Sequence, residues 1–366
     1  MLHLAEATDR ALVRAGLSRA DIDGICTYPG KADNSPGMSP LGTGDVRQAL
    51  GLQTRWHCAV PDGPAQMAPI MVAAMAVMTG QARHVLCFRA LTESSSQTAQ
   101  QRASVPGAGR PAIGGWLSWL VPMGAMSASN WAGWMATRYF HEFGMTREHL
   151  GMIACGQRRF AQMNPQAVMQ KPLTMDDYLA ARMISTPLGL FDCDIPIDGA
   201  AVVIVSAADA ARDCASVPLR IEAMGSALRS TETWDQREDL TTMGAHDAAA
   251  DLWERTDLKA KDVDVLGLYD GFSIFVPMWL EALGFCKHGE AKDFIAEGNI
   301  GPGGRYPTNT GGGQLSGGRL HGFSLLHEAC LQLWGDAGDR QIDSAKTAVC
   351  GMGGGFIAGA MLLNRD

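Results

Sequence analysis

The chain has 366 residues, 46% of them hydrophobic, which is enough to bury a large core as two domains or one large α/β unit. Its formal charge of -8, without a basic run, argues against nucleic-acid binding and against binding to an anionic membrane surface. The nine cysteines have no metal-ligand spacing, so they predict neither a disulfide framework nor a bound metal, and they favour a reducing, cytoplasmic location. The longest apolar run, residues 67–78, is too short to span a bilayer and predicts a buried helix.

Two parts of the sequence resemble each other. An amphipathic helix over residues 3–16 is followed by a short polar link and a strand, and the same order recurs 241 residues later. The matching pairs are Leu17 and Leu258, Asp21 and Asp262, Asp23 and Asp264, and Tyr28 and Tyr269. Further along each copy, a helix precedes a strand, at residues 85–88 and 347–350. The repeat predicts two similar halves, each with a mainly parallel sheet.

The repeat also predicts the domain organisation, with halves at residues 1–215 and 216–366 and an irregular excursion over about 92–190. The second half begins with a strand at 219–223 whose counterpart would precede Met1. We therefore expect the first half to lack its first strand, or the sequence to begin late, which leaves an unpaired sheet edge. Within the excursion, residues 116–134 are rich in Trp and Met, and three interpretations stay open: a hydrophobic ligand wall that includes Trp131, a subunit contact, or core packing.

A glycine-rich loop near the C-terminus is a candidate functional segment. Five of the eight residues from 311 to 318 are glycine, including Gly312 and Gly313, which is too many for the interior of a helix or strand. Asn309, Arg319 and His321 flank this loop, and a helical pattern follows over 323–334. A glycine loop that leads into a helix predicts an anion or oxyanion site, with an ordinary tight connection as the alternative.

Several polar side chains follow predicted strands of the second half. Tyr269, the loop from Asn309 to His321, and Cys350 all lie at such positions. Since active sites in parallel sheets lie at the carboxyl ends of strands, we expect these groups to converge.

Four ordered motifs carry a resemblance to a known family. They are Thr146-Arg147-Glu148, Asn164-Pro165-Gln166-Ala167, Ile184-Ser185-Thr186-Pro187-Leu188 and Asp198-Gly199-Ala200-Ala201. In this order they resemble the thiolases, most of all the branch of sterol-carrier-protein-X and lipid-transfer proteins. The resemblance covers nearly the whole chain. It implies an α/β thiolase fold, in which two βαβαβαββ halves form a five-layer αβαβα sandwich, and a homodimer.

The sequence departs from thiolases at the catalytic positions. Val60 stands where a thiolase has its nucleophilic cysteine, and valine cannot form a thioester. Cys58 lies two residues earlier and is interpreted as a packed thiol. Gly318-Arg319-Leu320 replaces the thiolase Gly-His-Pro, with His321 two residues beyond the histidine position. Cys350 lies near the expected base cysteine, but Gly351-Met352 is inserted before the glycine triplet.

The motif Tyr269-Asp270-Gly271-Phe272 resembles that of lipid-transfer-protein-type aldolases, which shorten steroid side chains. The resemblance implies retro-aldol cleavage of a β-hydroxyacyl-CoA to a ketone and a shorter acyl-CoA, without a covalent intermediate. Tyr269 is then the candidate base or proton shuttle, with a pKa lowered by Arg319 or by protonated His321.

The other candidate residues have paired interpretations. His321 either donates to the enolate oxygen or caps a helix, and Asn309 either belongs to an oxyanion hole or shapes the loop. Arg319 either binds the CoA phosphates or a carboxylate, or anchors the loop. Asp270 is expected to hold its own loop rather than act directly, and Tyr269 has the alternative of a core aromatic, because Tyr28 recurs in the first half. The substrate-binding candidates also include Gly353 and Gly354, and Met352 replaces a second tyrosine of the aldolases.

The resemblance also implies partners. We expect no cofactor apart from the coenzyme A of the substrate, and a small OB-fold, zinc-ribbon protein that forms a heterotetramer with the homodimer. Two other functions stay open: a degenerate thiolase or acyltransferase that uses Cys350 or Cys58, and a non-catalytic lipid- or acyl-CoA-binding subunit.

Overall fold

Two four-stranded sheets organise the chain, one in each half. The computed structural model describes residues 1–32, 36–98, 114–115 and 117–365. The strands are β1 Gly24–Thr27, β2 Trp56–Ala59, β3 His84–Thr92, β4 Met183–Ser185, β5 Leu188–Gly189, β6 Asp198–Ser206, β7 Arg220–Gly225, β8 Val265–Leu268, β9 Thr347–Gly354 and β10 Ile357–Asn364. The α-helices are α1 Leu2–Ala15, α2 Thr43–Leu50, α3 Ala68–Met78, α4 Glu93–Ser96, α5 Leu117–Leu120, α6 Ala128–Phe143, α7 Arg147–Gln162, α8 Met175–Ala180, α9 Ala208–Ala211, α10 Gly244–Trp253, α11 Phe275–Ala282, α12 Ala291–Ala296 and α13 Phe323–Trp334.

Three strands of each sheet are equivalent in order and direction, as the sequence repeat predicts. The first sheet runs β2-β1-β3-β6 and the second β7-β10-β9-β8. Strand β1 is parallel to β3, which pairs antiparallel with β6, and β8 is likewise parallel to β9, which pairs antiparallel with β10. An aspartate directly before β1 and another directly before β8 make equivalent hydrogen bonds. Asp23 accepts from the backbone N–H of His84, and Asp264 accepts from the backbone N–H of Thr347. The duplication is therefore confirmed in the hydrogen bonds as well as in the strand order.

The core clusters define five layers. Helices α3 and α13 lie between the two sheets and share one cluster with residues from both. Helices α1 and α2 cover the outer face of the first sheet, and α10 and α11 cover the outer face of the second. The apolar run predicted to be buried on all sides is thus a central helix, although Met75 and Met78 near its end are exposed. The αβαβα sandwich is confirmed.

The two sheets differ at both edges, and at the β2 edge the described part of the second half has only the single bridge of Thr308 to β8. Strand β7 pairs with β10, whereas β6, the counterpart of β10, pairs only with β3 among the described residues. The part of the chain that the structure describes thus contains no counterpart of β7 beside β6.

The excursion is more regular than the sequence indicates. Helix α6 begins at Ala128, inside the Trp- and Met-rich stretch whose pattern predicts no period. Trp116 and residues 99–113 lie outside the described residues. Thr146 precedes α7, and the Thr174 hydroxyl accepts from the N–H of Asp177 at the start of α8. No helix in the described ranges is long and apolar enough to cross a membrane.

Candidate active site

Tyr269 directly follows β8, and its position is fixed on two sides. Its backbone N–H donates to the Gly351 carbonyl at 2.8 Å, and its ring stacks on Phe275 with centroids 6.3 Å apart. A Cβ at Gly271 would lie 2.8 Å from the Tyr269 ring, so only glycine leaves room for this orientation. The hydroxyl has no hydrogen-bond partner among the described side chains, which leaves it available to a ligand.

Asn309 holds the glycine-rich loop against the end of β8. Its side-chain oxygen accepts from the Leu268 N–H and its amide donates to the Leu268 carbonyl, both at 2.8 Å. Through these two bonds the Asn309 side chain pairs with β8 as a neighbouring strand would. Asn309 is only 1% exposed and has a positive φ of 57°. These contacts support the loop-shaping interpretation of Asn309 rather than a direct oxyanion role.

The glycine-rich loop binds a carboxyl group of the protein itself, Asp270, whose pKa burial raises to about 7. The backbone N–H groups of Gln314 and Leu315 donate to the Asp270 carboxylate, at 2.9–3.0 Å for Gln314. A Cβ at Gly313 would collide with that carboxylate, and one at Gly312 would lie 2.7 Å from Ala161. The close approach predicted from the glycines is therefore to Asp270 and α7. Asp270 is therefore the residue that holds the loop, and a substrate-binding role for Gly312 and Gly313 stays a prediction.

Arg319 lies between two carboxylates. Its guanidinium contacts Glu93 Oε2 at 2.6 Å and Asp194 Oδ1 at 3.0 Å. Its backbone N–H donates to the Ile195 carbonyl at 2.8 Å, so the loop is joined to residues 194–195 of the excursion. The guanidinium is 20% exposed and its charge is compensated, which supports the loop-anchor interpretation over the binding of CoA phosphates.

His321 is held in one tautomer by Arg89, which reaches it from β3. Arg89 Nη2 lies 2.7 Å from His321 Nδ1, and because a guanidinium only donates, Nδ1 accepts and the proton lies on Nε2. Burial and the guanidinium groups of Arg89 and Arg319 hold the pKa of His321 well below its usual value, so the ring is neutral. His321 has a positive φ of 49°, an unusual conformation for a residue other than glycine. The result is an oriented Nε2–H donor.

The electrostatics of Tyr269 differ from the sequence-based expectation. Burial and the Asp194 carboxylate raise the pKa of Tyr269, and Arg319 only partly offsets them. The predicted lowering is wrong because Glu93 and Asp194 compensate Arg319, while His321 is neutral. Tyr269 is therefore a neutral phenol. Burial also raises the pKa of Asp194, to about 6, although its ion pair with Arg319 opposes this.

The remaining candidates lie outside this group. Cys350 is 0% exposed in β9 and faces the central helix layer, where burial raises the pKa of its thiol, so its assignment as a base is corrected to a core residue. Gly353 and Gly354 lie against Ala65 and the Phe275 ring in the β9–β10 hairpin rather than at a ligand surface. Trp131 is 4% exposed and packs on Trp234, so the core-packing interpretation holds for it.

The first-half cysteine position gives no nucleophile either. Val60 follows β2 and packs against the central cluster, as does Cys58. Cys58 lies beside Cys26 in the neighbouring strand, as expected for a packed thiol.

Sequence reasoning missed the residues that the first half and the excursion supply, namely Arg89, Glu93 and Asp194. A charge directly after the apolar strand pattern over 85–88 was the available signal for Arg89, which is 1% exposed. Glu93 and Asp194 carried no such signal, since each is one acidic residue in a polar stretch. Among the described residues, the members of this site do not form a metal-ligating group.

Comparisons with known proteins agree with this geometry. Residues 226–363 match the family described as Thiolase C-terminal domain-like. The chain is 34% identical to a steroid side-chain-cleaving aldolase of Thermomonospora curvata, over 99% of this chain and 92% of the relative. It is 35% identical to a 17-hydroxy-3-oxo-4-pregnene-20-carboxyl-CoA lyase of Mycobacterium tuberculosis, over 90% of this chain and 86% of the relative.

Solved structures extend the comparison to the fold. The Ltp2-ChsH2(DUF35) aldolase superposes with a TM-score of 0.86 at 33% identity, over 100% of this chain and 92% of that one. Human mitochondrial 3-ketoacyl-CoA thiolase, at 14% identity, superposes with a TM-score of 0.67 over 99% of this chain and 92% of that one, which shows the fold alone. The chain therefore belongs to the aldolase branch of the thiolase superfamily, related to the sterol-carrier-protein thiolases, and is a carbon–carbon lyase.

Proposed function

We propose that this lyase cleaves a β-hydroxyacyl-CoA by a retro-aldol reaction, with a steroid side chain as the substrate class. The observation that carries the proposal is that the oriented Nε2–H donor of His321 and the unpartnered hydroxyl of Tyr269 both lie in the electrostatic field of Arg319, while Cys350 is buried in the core. Both aligned relatives are named for cleavage of steroid substrates.

The chemistry requires a proton acceptor and an enolate stabiliser. A base removes the proton of the β-hydroxyl, the bond between the carbinol carbon and the α-carbon breaks, and its electron pair moves into the thioester as an enolate. The α-carbon then takes up a proton, so the products are a ketone and a shorter acyl-CoA. No oxidant, cofactor or free CoA enters the balance, which supports the expectation that the only cofactor is the substrate's own CoA.

Three residues receive roles in this reaction. Tyr269 accepts the hydroxyl proton while it passes its own proton through one solvent molecule to Asp194, since no direct hydrogen bond joins the two side chains. The Asp194 carboxylate has a pKa of about 6 and is the acidic group that most affects Tyr269. His321 donates its Nε2–H to the thioester oxygen as negative charge develops there. Arg89 is a positioning residue, because it fixes the His321 tautomer without contacting the substrate.

The name of the Mycobacterium tuberculosis relative specifies a test substrate. In 17-hydroxy-3-oxo-4-pregnene-20-carboxyl-CoA the hydroxyl carbon is β to the thioester carbonyl, and the α-carbon carries a methyl group. Retro-aldol cleavage of this compound gives a 17-ketone and propionyl-CoA.

We further propose that the chain acts in the cytoplasm as a homodimer, with a small OB-fold, zinc-ribbon partner that completes a heterotetramer. The similarity to the Ltp2-ChsH2(DUF35) aldolase supports the partner. The outer edge of β2 supports the homodimer. Among the described residues β2 pairs only with β1, and His57 and Ala59 are exposed, whereas Thr308 bridges to β8 at the equivalent edge of the second half.

The test is identification of products by mass spectrometry after incubation of the protein with this substrate, with and without the partner and without free CoA. Equal amounts of ketone and propionyl-CoA are the expected result. Intact substrate, together with cleavage of a 3-ketoacyl-CoA only when free CoA is added, would assign the chain to thiolysis. Binding of the substrate without turnover in the presence of the partner would favour the non-catalytic subunit.

A further inference from the structure

A second cluster of chemically reactive side chains lies outside the candidate active site. It consists of His246 on α10, Glu281 on α11 and His288 in the loop that follows α11. One potential ligand atom from each residue lies within 4.8 Å of the others, and the two imidazole rings are nearly perpendicular with centroids 6.0 Å apart. None of these residues takes part in the proposed reaction.

The carboxylate of Glu281 lacks a permanent counter-charge. Its side chain is 0% exposed, and in the described part of the chain its one ion-pair partner is His288, whose Nδ1 lies 3.0 Å from Glu281 Oε2. The other oxygen, Oε1, accepts from the Tyr139 hydroxyl and from the backbone N–H groups of Gly289 and Ala291. Oε1 is thus fixed by several donors, while Oε2 faces the histidines. A buried carboxylate of this kind usually pairs with a cation or a metal ion.

Each histidine has one nitrogen held from outside the cluster. His246 Nδ1 lies 3.2 Å from the backbone nitrogen and 3.3 Å from the carbonyl oxygen of Met243, and its Nε2 is buried without a hydrogen-bond partner. His288 Nε2 lies 3.0 Å from the Thr241 hydroxyl. Metal-bound histidines are typically oriented in this way, by a carbonyl or hydroxyl on the nitrogen that does not bind the metal.

We propose that His246, Glu281 and His288 bind one divalent transition-metal ion of the zinc class. The ligand atoms are His246 Nε2, Glu281 Oε2 and His288 Nδ1, and solvent takes the fourth position of a tetrahedral ion. Two imidazoles and one carboxylate are a common zinc ligand set. The sequence predicts no metal because these ligands come from separate elements, without the short spacing of a metal motif.

The role of the ion is structural. It links α10, α11 and the loop after α11, and through Tyr139 it holds helix α6 of the excursion against the second half. Phe143 on the same helix packs edge-on against His288 with centroids 5.0 Å apart, which adds to this contact. Because the ion binds only the folded state, it raises the thermal stability of the whole chain.

The test compares wild type with His288→Ala, and with His141→Ala as a matched control in which an exposed histidine of α6 is removed. After treatment with a chelator, each protein is titrated with Zn²⁺ by calorimetry and its thermal unfolding is followed. We expect wild type and His141→Ala to bind one Zn²⁺ and to gain about 5 °C in Tm at a hundredfold excess over Kd. His288→Ala should bind at least about 100-fold more weakly.

Co²⁺ provides a second measurement that needs no variant. Wild type loaded with Co²⁺ should show tetrahedral d–d bands without thiolate charge transfer, because no cysteine belongs to the cluster. A thiolate band, absence of Zn²⁺ binding by wild type, or equal binding by His288→Ala would overturn the proposal. None of these results bears on the lyase reaction.

Discussion

The two halves carry different functional side chains at equivalent backbone positions. The pairing of β1 with β3 and of β8 with β9 makes Cys87 the counterpart of Cys350, and Arg89 the counterpart of Met352. Both cysteines are 0% exposed and face the central helices, so this position serves the core in each half. Arg89, in contrast, donates to His321, while Met352 is an apolar neighbour of Gly322.

This difference explains how one site forms from two copies of a fold. The second half supplies Tyr269 and His321 at the ends of its loops, and the first half supplies the guanidinium that orients the imidazole. The end of the excursion adds Asp194. The backbone N–H of Asp194 donates to the Gly271 carbonyl at 3.1 Å. The repeated positions therefore maintain the fold, and the positions that differ between the halves build the site. Tyr28 and Tyr269 are the exception, since both copies keep a tyrosine, and they offer the sharpest comparison.

The largest effect should come from Tyr269→Phe, which removes the proton shuttle and keeps the ring. We expect kcat to fall about 1000-fold, within the usual range for loss of a general acid–base group. Tyr28→Phe should cost no more than about 10-fold, because the proposed proton path does not include it. Steady-state rates with the steroid thioester measure both, with Tyr306→Phe as a control outside the site. Equal losses for Tyr28→Phe and Tyr269→Phe would mean that the repeated tyrosine serves the fold.

His321→Ala should have the next largest effect. Removal of one donor to a developing oxyanion costs about 100-fold in kcat. His321→Gln restores an amide donor and should recover part of this loss, whereas a helix-capping role would change the Tm and leave kcat nearly unaltered. Rates and thermal unfolding of the two variants distinguish these outcomes.

Arg89→Met replaces Arg89 with the residue type of Met352, its counterpart in the second half. This change should reduce kcat on the order of 30-fold, because the His321 tautomer is no longer fixed. Loss of the guanidinium also raises the pKa of His321 toward its usual value, since Arg89 is one of the causes of its depression. An NMR titration of the His321 imidazole should show this rise in pKa directly. A lower rate with an unchanged His321 pKa would indicate a packing role alone.

In wild type the pH dependence should report Asp194. Its carboxylate is the base form above a pKa of about 6, so kcat/KM should fall about 10-fold between pH 7 and pH 5. Asp194→Asn should flatten this limb at a lower rate. If the limb persists in Asp194→Asn, another group is the base.

Cys350→Ala should have the smallest effect on catalysis. We expect kcat within about twofold of wild type and a free energy of unfolding lower by about 1 kcal/mol, because a core atom is lost. Cys87→Ala, the equivalent change in the first half, should behave in the same way. A loss of turnover in Cys350→Ala alone would restore the acyltransferase alternative.

The sequence predicted the fold well because the fold depends on local patterns. The apolar helix of the central layer is a short-range signal, and the repeat that relates Asp23 to Asp264 is a comparison of two local patterns. Tyr269 and His321 could be selected because a strand end and a glycine-rich loop lie in the nearby sequence. The order of the four family motifs also allowed the thiolase family to be predicted.

The rest of the site could not be predicted, because it depends on contacts between distant parts of the chain. The roles of Arg319 and Asp270 depend on which charges surround them, and Glu93 and Asp194 approach Arg319 only through tertiary packing. The pKa of Tyr269 was expected to move in the wrong direction for the same reason. Whether Cys350 lies in the core or at a ligand surface depends on the face of β9 that it occupies, and the inserted Gly351-Met352 obscured this.

The most direct test of the retro-aldol reaction is cleavage of 17-hydroxy-3-oxo-4-pregnene-20-carboxyl-CoA in deuterated water without free CoA. If an enolate forms and takes up a solvent proton, the released propionyl-CoA carries one deuterium at its α-carbon, and an equal amount of ketone appears. Release of unlabelled propionyl-CoA, or no cleavage until free CoA is added, would contradict the account.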